Sequence, residues 1–224
     1  IYGSLLTKGI GFDVEIEDEY DNQENPEDVF VVSTDNELKA ALAKDDEVIR
    51  ITLADNVSLA NMKIGGAETE TIIIEGSGIV RSGNHTLTMS STYMPKFETV
   101  NPNATLVLKN INLVGAREEG TWDVYDLTFN CNVILENAVS NTAIALTKAN
   151  ATASLKGVTI NETHDYYAMW ISAKGQNVTI DGLTINAPAG RGIKIDEQYV
   201  DAPSKVIMAV KNATFTTAKK AAIM

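Results

Sequence analysis

One corner, repeated, constrains this chain more than anything else in it. LKNINL, LENAVS, LKGVTI, IDGLTI and VKNATF align on Asn110, Asn137, Gly157, Gly182 and Asn212. The residue before each corner is charged: Lys109, Glu136, Lys156, Asp181 and Lys211. The one before that is aliphatic: Leu108, Leu135, Leu155, Ile180 and Val210. Glycine enters the left-handed backbone region freely, and asparagine tolerates it best among the other residues. Taken alone, NVTIDGLTIN (177–186) reads as a hairpin with an Asp-Gly turn. A hairpin turn does not recur in register, however, and these corners recur at separations of 27, 20, 25 and 30 residues.

The segments around the corners are strand-like. VIRITL (48–53), TIIIEG (71–76) and TLVLKNINLVG (105–115) are short β-branched runs. AIAL (143–146), AMWI (168–171) and GIKI (192–195) precede the last three corners, and AAIM (221–224) starts a fourth such strand. Strand, bend, strand, corner, strand is the pattern of a solenoid, in which like strands of successive coils pair in parallel about 4.8 Å apart. A β-sandwich is the rival architecture. It needs hairpin turns and antiparallel alternation, which the corner does not supply.

The N-terminal part differs. Residues 13–28, DVEIEDEYDNQENPED, hold nine acids and no base, and so supply most of the formal charge of −12. Calcium capture is one reading of this stretch and a solvated leader the other; it lacks the loop spacing and glycine of a calcium hand. Thr34 and Glu37 form a capping box, and Leu38, Ala41 and Leu42 make a narrow apolar stripe. This predicts a short helix over about 34–45, with Lys44 suiting its last turn. The domain reading is an acidic leader over 1–29 and a β-helix domain over 30–224, its coils beginning near 48. Because AAIM stops one strand into a coil, a longer native protein is expected, or an end-to-end contact at the uncapped C-terminal coil.

The asparagine or glycine corners, irregular coil lengths and inward aliphatic ladders resemble the right-handed parallel β-helix of the pectin-lyase-like superfamily over about 48–224. The fold class expected is therefore all-β, a right-handed single-stranded parallel β-helix with a short N-terminal capping α-helix. In that superfamily an amphipathic cap covers the first coil, shielding apolar side chains and unpaired strand edges. The fold hosts lyases, hydrolases, tailspikes and adhesins, so the resemblance says little about activity.

Enzymes of the superfamily hold substrate across the outward face of one sheet. If Ile144, Met169 and Ile193 point inward, Ala145, Trp170 and Lys194 form one outward row, and Thr147, Ser172 and Asp196 the next. An outward tryptophan suits stacking against a sugar ring. The other reading is that the excursion EQYVDAPSK (197–205) covers it. His164, Tyr166, Tyr167 and Arg191 lie nearby in sequence, completing the tentative glycan-binding set Trp170, Lys194, Asp196, Arg191, Tyr166, Tyr167 and His164.

The resemblance implies that a lyase would use arginine or lysine as base, with acids holding calcium. Arg191, Lys194 and Asp196 are the right types, but Asp196 alone is a weak calcium site, and no cofactor is otherwise implied. The hydrolases of the superfamily need paired aspartates and a glycine-flanked histidine. The coils have no adjacent aspartates, and neither His85 nor His164 has glycine neighbours. No catalytic residue is assigned.

The acidic balance disfavours nucleic acid, and also anionic polysaccharides and anionic membranes unless a cation bridges, as partners. No run reaches transmembrane length. A single cysteine, Cys131, precludes an intrachain disulfide and reads as a buried filler. Seven N-x-[ST] sequons need no glycan, since turns and solvent-facing strand positions favour Asn and Thr. The expectation is an extracellular or cell-surface protein, carbohydrate-binding or adhesin-like. The alternatives are a polysaccharide lyase using Arg191 or Lys194, and a structural spacer.

Overall fold

The computed structural model describes residues 29–76, 84–91, 94–115, 127–172, 174–196, 205–217 and 223. The acidic leader lies outside them. The described chain is a right-handed parallel β-helix with one short α-helix. Every strand pairing in it is parallel, which removes the sandwich.

Three sheets form the walls. Sheet A holds, in order, β1 (Val29–Val32), β2 (Val48–Leu53), β5 (Thr71–Glu75), β8 (Thr105–Lys109), β11 (Asn132–Glu136), β14 (Thr152–Lys156), β17 (Asn177–Asp181) and β20 (Ile207–Lys211). Sheet B holds β3 (Val57–Leu59), β6 (Thr86–Met89), β9 (Asn112–Val114), β12 (Val139–Ser140), β15 (Thr159–Asn161), β18 (Thr184–Ala187) and β21 (Thr214–Thr217). Sheet C holds β4 (Met62–Ile64), β7 (Lys96–Thr99), β10 (Leu127–Asn130), β13 (Ile144–Leu146), β16 (Tyr167–Ile171) and β19 (Arg191–Ile195). Of the AAIM segment only Ile223 is described, bridged in parallel to Ile193.

The corner joins sheet A to sheet B. Asn110, Asn137, Gly157, Gly182 and Asn212 all have φ between +46° and +79°. Each corner N–H up to Gly182 donates to the carbonyl of the charged residue in the next coil, as Asn137 N does to Lys156 O at 2.9 Å. The bend therefore leaves no backbone donor orphaned. A second left-handed column, Asn150 (φ 56°) above which Gly175 (φ 67°) sits, turns the chain from sheet C into sheet A. The sequence reading missed it, because two coils are too few to show a repeat.

Inward side chains stack in rows. One row in sheet A runs Ile51, Ile74, Leu108, Leu135, Leu155, Ile180 and Val210. In sheet C, Phe97 and Phe129 stack with centroids 5.3 Å apart. Each fully buried aliphatic side chain contributes about 1.5–3 kcal/mol.

The helix α1 spans Asp35–Leu42, shorter than the predicted 34–45. Its start is as expected: Glu37 N donates to Thr34 Oγ1, and Thr34 N donates to Glu37 Oε2. Leu38, Ala41 and Leu42 are buried on the first coil. The end differs because Gly65 N, from that coil, donates to Leu42 O at 2.7 Å. This supplies the partner that another helical turn would have provided. Lys44 is thus beyond the helix, and its ammonium lies 5.9 Å from the Phe30 ring centroid. The strand β1, which the sequence reading did not anticipate, pairs with β2 as the first rung of sheet A.

Candidate functional site

The parallel register places Trp170 and Lys194 on the outward face of sheet C. Cα partners align Lys96, Thr128, Ala145, Trp170 and Lys194 in one row, as the alternation in the sequence implied for its last three members. Asp196 N donates to Ile171 O and Ser172 N to Leu146 O, continuing the next row. Tyr167 is paired directly with Arg191.

Six of the seven candidate residues converge through their side chains. The Lys194 ammonium lies 4.4 Å from the Trp170 ring centroid and 5.6 Å from that of Tyr167. The Arg191 guanidinium lies over Tyr167 at 5.1 Å. Tyr166 meets Tyr167 edge-on at 5.6 Å and Trp170 at 5.8 Å. Asp196 holds Lys194 at 2.9 Å. Each cation–π contact contributes about 0.5–2 kcal/mol, the larger value where water is excluded.

The tryptophan is not the open stacking surface that the sugar-platform reading required. Trp170 is 8% exposed, and its row neighbours Ala145 and Thr128 are buried as well. The excursion offered as its cover, 197–205, lies outside the described residues apart from Lys205. The rings with accessible surface are Tyr166 and Tyr167, both half-buried. Tyr166 and Lys194 both lie against Trp170.

His164 joins the site from the turn before β16. Its carbonyl accepts from Tyr166 N, and the Tyr166 carbonyl accepts from Arg191 N. Gly190 fits beneath this turn because a Cβ there would lie 2.4 Å from Tyr166 O and 2.7 Å from His164 O. The residue that organises the turn is Glu162, which the sequence reading missed. Its side chain is 1% exposed, with Oε2 accepting from Ala143 N at 2.9 Å and Oε1 from His164 N at 2.6 Å. His164 Nδ1 lies 2.7 Å from the same Oε1. Nothing local in NETHDYY distinguishes a buried acid from a solvated one, because the burial comes from the coil beneath.

At the other end of the face Lys96 and Lys63 hold Glu98 at 2.7 and 3.4 Å. The Lys96 hydrogen bond keeps that carboxyl below its ordinary range. Cys131 is buried, and burial pushes its thiol up to about 12, which suits a filler and not a nucleophile. Among the described residues no group of three or more His, Cys, Asp or Glu is placed to hold a metal ion. No described helix is long and apolar enough to cross a membrane.

No family model, curated protein or solved structure matches the chain.

Proposed function

We propose that this chain is a carbohydrate-binding β-helix of the pectin-lyase-like superfamily, acting at the cell surface or outside the cell as an adhesin-like module. The observation that supports this reading is the cluster on sheet C, where two half-buried tyrosines stand with Arg191 and Lys194, Tyr166 and Lys194 against Trp170. Tyrosine rings present an apolar face and a hydroxyl, the pair of properties a sugar ring needs. The cations and Asp196 supply hydrogen-bonding groups whose positions are already set by their mutual contacts, which lowers the ordering cost of binding.

In the runner-up reading, a polysaccharide lyase, Arg191 or Lys194 would remove a proton. The Lys194 ammonium is committed to Asp196 and to the Trp170 and Tyr167 rings. We therefore assign both cations to binding. The test is a glycan array spanning neutral and acidic sugars, read for the wild type, Tyr167→Ala and Arg191→Ala. Retention of a glycan by the wild type, weakened about tenfold or more in both variants, supports the reading. Absence of any retained glycan leaves the spacer reading in its place.

A further inference from the structure

We infer that His164 is a hydrogen-bond acceptor of this site, presenting Nε2 to a sugar hydroxyl, and that the buried Glu162 is the positioning residue that sets its tautomer. The inference rests on the glycan reading above. It begins from Glu162, whose carboxyl is almost completely out of water. Burying a carboxylate is costly unless every oxygen finds donors. The two backbone N–H groups of Ala143 and His164 already supply one donor to each oxygen.

The imidazole adds a third contact, and its direction is fixed by chemistry. An ionised carboxylate only accepts, so Nδ1 must carry the proton that lies between it and Oε1. In the neutral ring Nε2 is then the unprotonated atom, an acceptor. The His164 side chain is 53% exposed although its Nδ1 abuts a carboxyl 1% exposed, which leaves the opposite edge, with Nε2, as the one open to a ligand. The turn that holds the ring is rigid: Tyr166 N bonds back to His164 O, and Arg191 N bonds to Tyr166 O. The cations donate, the tyrosines offer apolar faces and hydroxyls that donate or accept, and the acceptor Asp196 is engaged by Lys194. Nε2 is thus an acceptor placed for a ligand hydroxyl, and sugars carry many. A carboxylate holding one imidazole nitrogen while the other is presented outward is an arrangement that fixes the chemistry of the exposed atom.

The test is long-range proton–nitrogen NMR of the imidazole in the intact chain, with oligogalacturonate and cellopentaose as probes. The expected result is an Nδ1-protonated tautomer in the wild type. Glu162→Gln is expected to shift it toward Nε2–H, because the amide can donate to Nδ1. A binding probe is expected to move the Nε2 resonance in the wild type, and His164→Phe to weaken that probe about tenfold. An Nε2–H tautomer, or an imidazolium carrying a proton on both nitrogens, in the wild type at neutral pH overturns the inference, without needing any variant to fold. The expected tautomer with undiminished binding in His164→Phe overturns the acceptor role alone and leaves the tyrosine–cation site standing. Absence of binding by the wild type, for both probes and across the array, overturns the site and the acceptor role together.

Discussion

At the corner, the rung beneath decides how much room a Cβ has. Asn137 donates from Nδ2 to Asn110 Oδ1 at 3.2 Å, so its own Oδ1 faces the next coil. A Cβ on Gly157 would lie 2.7 Å from that oxygen, and a Cβ on Gly175 would lie 2.2 Å from Asn150 Oδ1. A Cβ on Gly182 would meet only the Gly157 backbone, at 3.3 and 3.5 Å. Gly182→Asn is therefore expected to stay within about 1 kcal/mol of the wild type, whereas Gly157→Asn loses about 1–2 kcal/mol more. Urea unfolding midpoints of the two variants check the order. Cys131 gives a second prediction. Burial lifts its thiol from an ordinary 9.0 to about 12. Its stabilising contribution is complete below about pH 9 and is lost as pH rises toward 12, because the unfolded chain ionises first. Wild-type stability should fall relative to Cys131→Ala by about 1.4 kcal/mol per pH unit across that window. Denaturation measured from pH 8 to 11 reads the slope.

At the scale of the element, sheet A carries an outward ladder of alternating sign. Glu75, Lys109, Glu136, Lys156, Asp181 and Lys211 are successive Cα partners. Exposed ion pairs of this kind contribute little individually. The alternation nonetheless opposes one error, because a strand that skipped a coil would set like charges against each other. Glu136→Lys places three lysines in succession and is expected to cost about 1 kcal/mol and to raise the aggregated fraction on refolding. Refolding yield by light scattering tests this, with Glu136→Gln as the neutral control. Asp181 reports the same ladder in acid. The Asn212 side-chain amide, and after it the Lys211 ammonium, hold its carboxyl below the ordinary 3.8. Its contribution is present above that value and lost as pH falls through the lower folded one, so β20 should loosen in strong acid before the capped end does. The cap is testable separately: Thr34→Ala removes the acceptor for Glu37 N and is expected to cost about 1 kcal/mol.

The whole molecule is a stack of coils with three unlike outer faces. Sheet A alternates in charge and sheet C carries the aromatic–cationic cluster, while no strand of sheet B contains a charged residue. Stability in such a stack is close to a sum of coil and neighbour terms. The two described ends differ: Leu38 and Leu42 close one, whereas Ile207 is 65% and Val210 38% exposed at the other. Amide exchange in the 224-residue chain is therefore expected to run as a gradient, fastest in β20 and β21 and slowest in β2 to β11. Uniform protection across the coils would contradict a stack that opens from one end.

The corner column, the β-branched runs and the capping box were legible in the sequence because each rests on local chemistry: a left-handed φ, a period of two, a side chain reaching three residues along. Register followed from them, so the alignment of Ala145, Trp170 and Lys194 was legible too. The sequence alone thus determined the solenoid, its cap, and the outward row Ala145, Trp170 and Lys194 on one wall. Burial on the outward face was decided by tertiary structure. Whether Trp170 is bare or covered, and whether Glu162 is solvated or sealed beneath Ala143 and His164, depends on neighbouring coils some twenty residues away. Local patterning sets the direction of a side chain, while its exposure is set by whatever the rest of the chain lays across it.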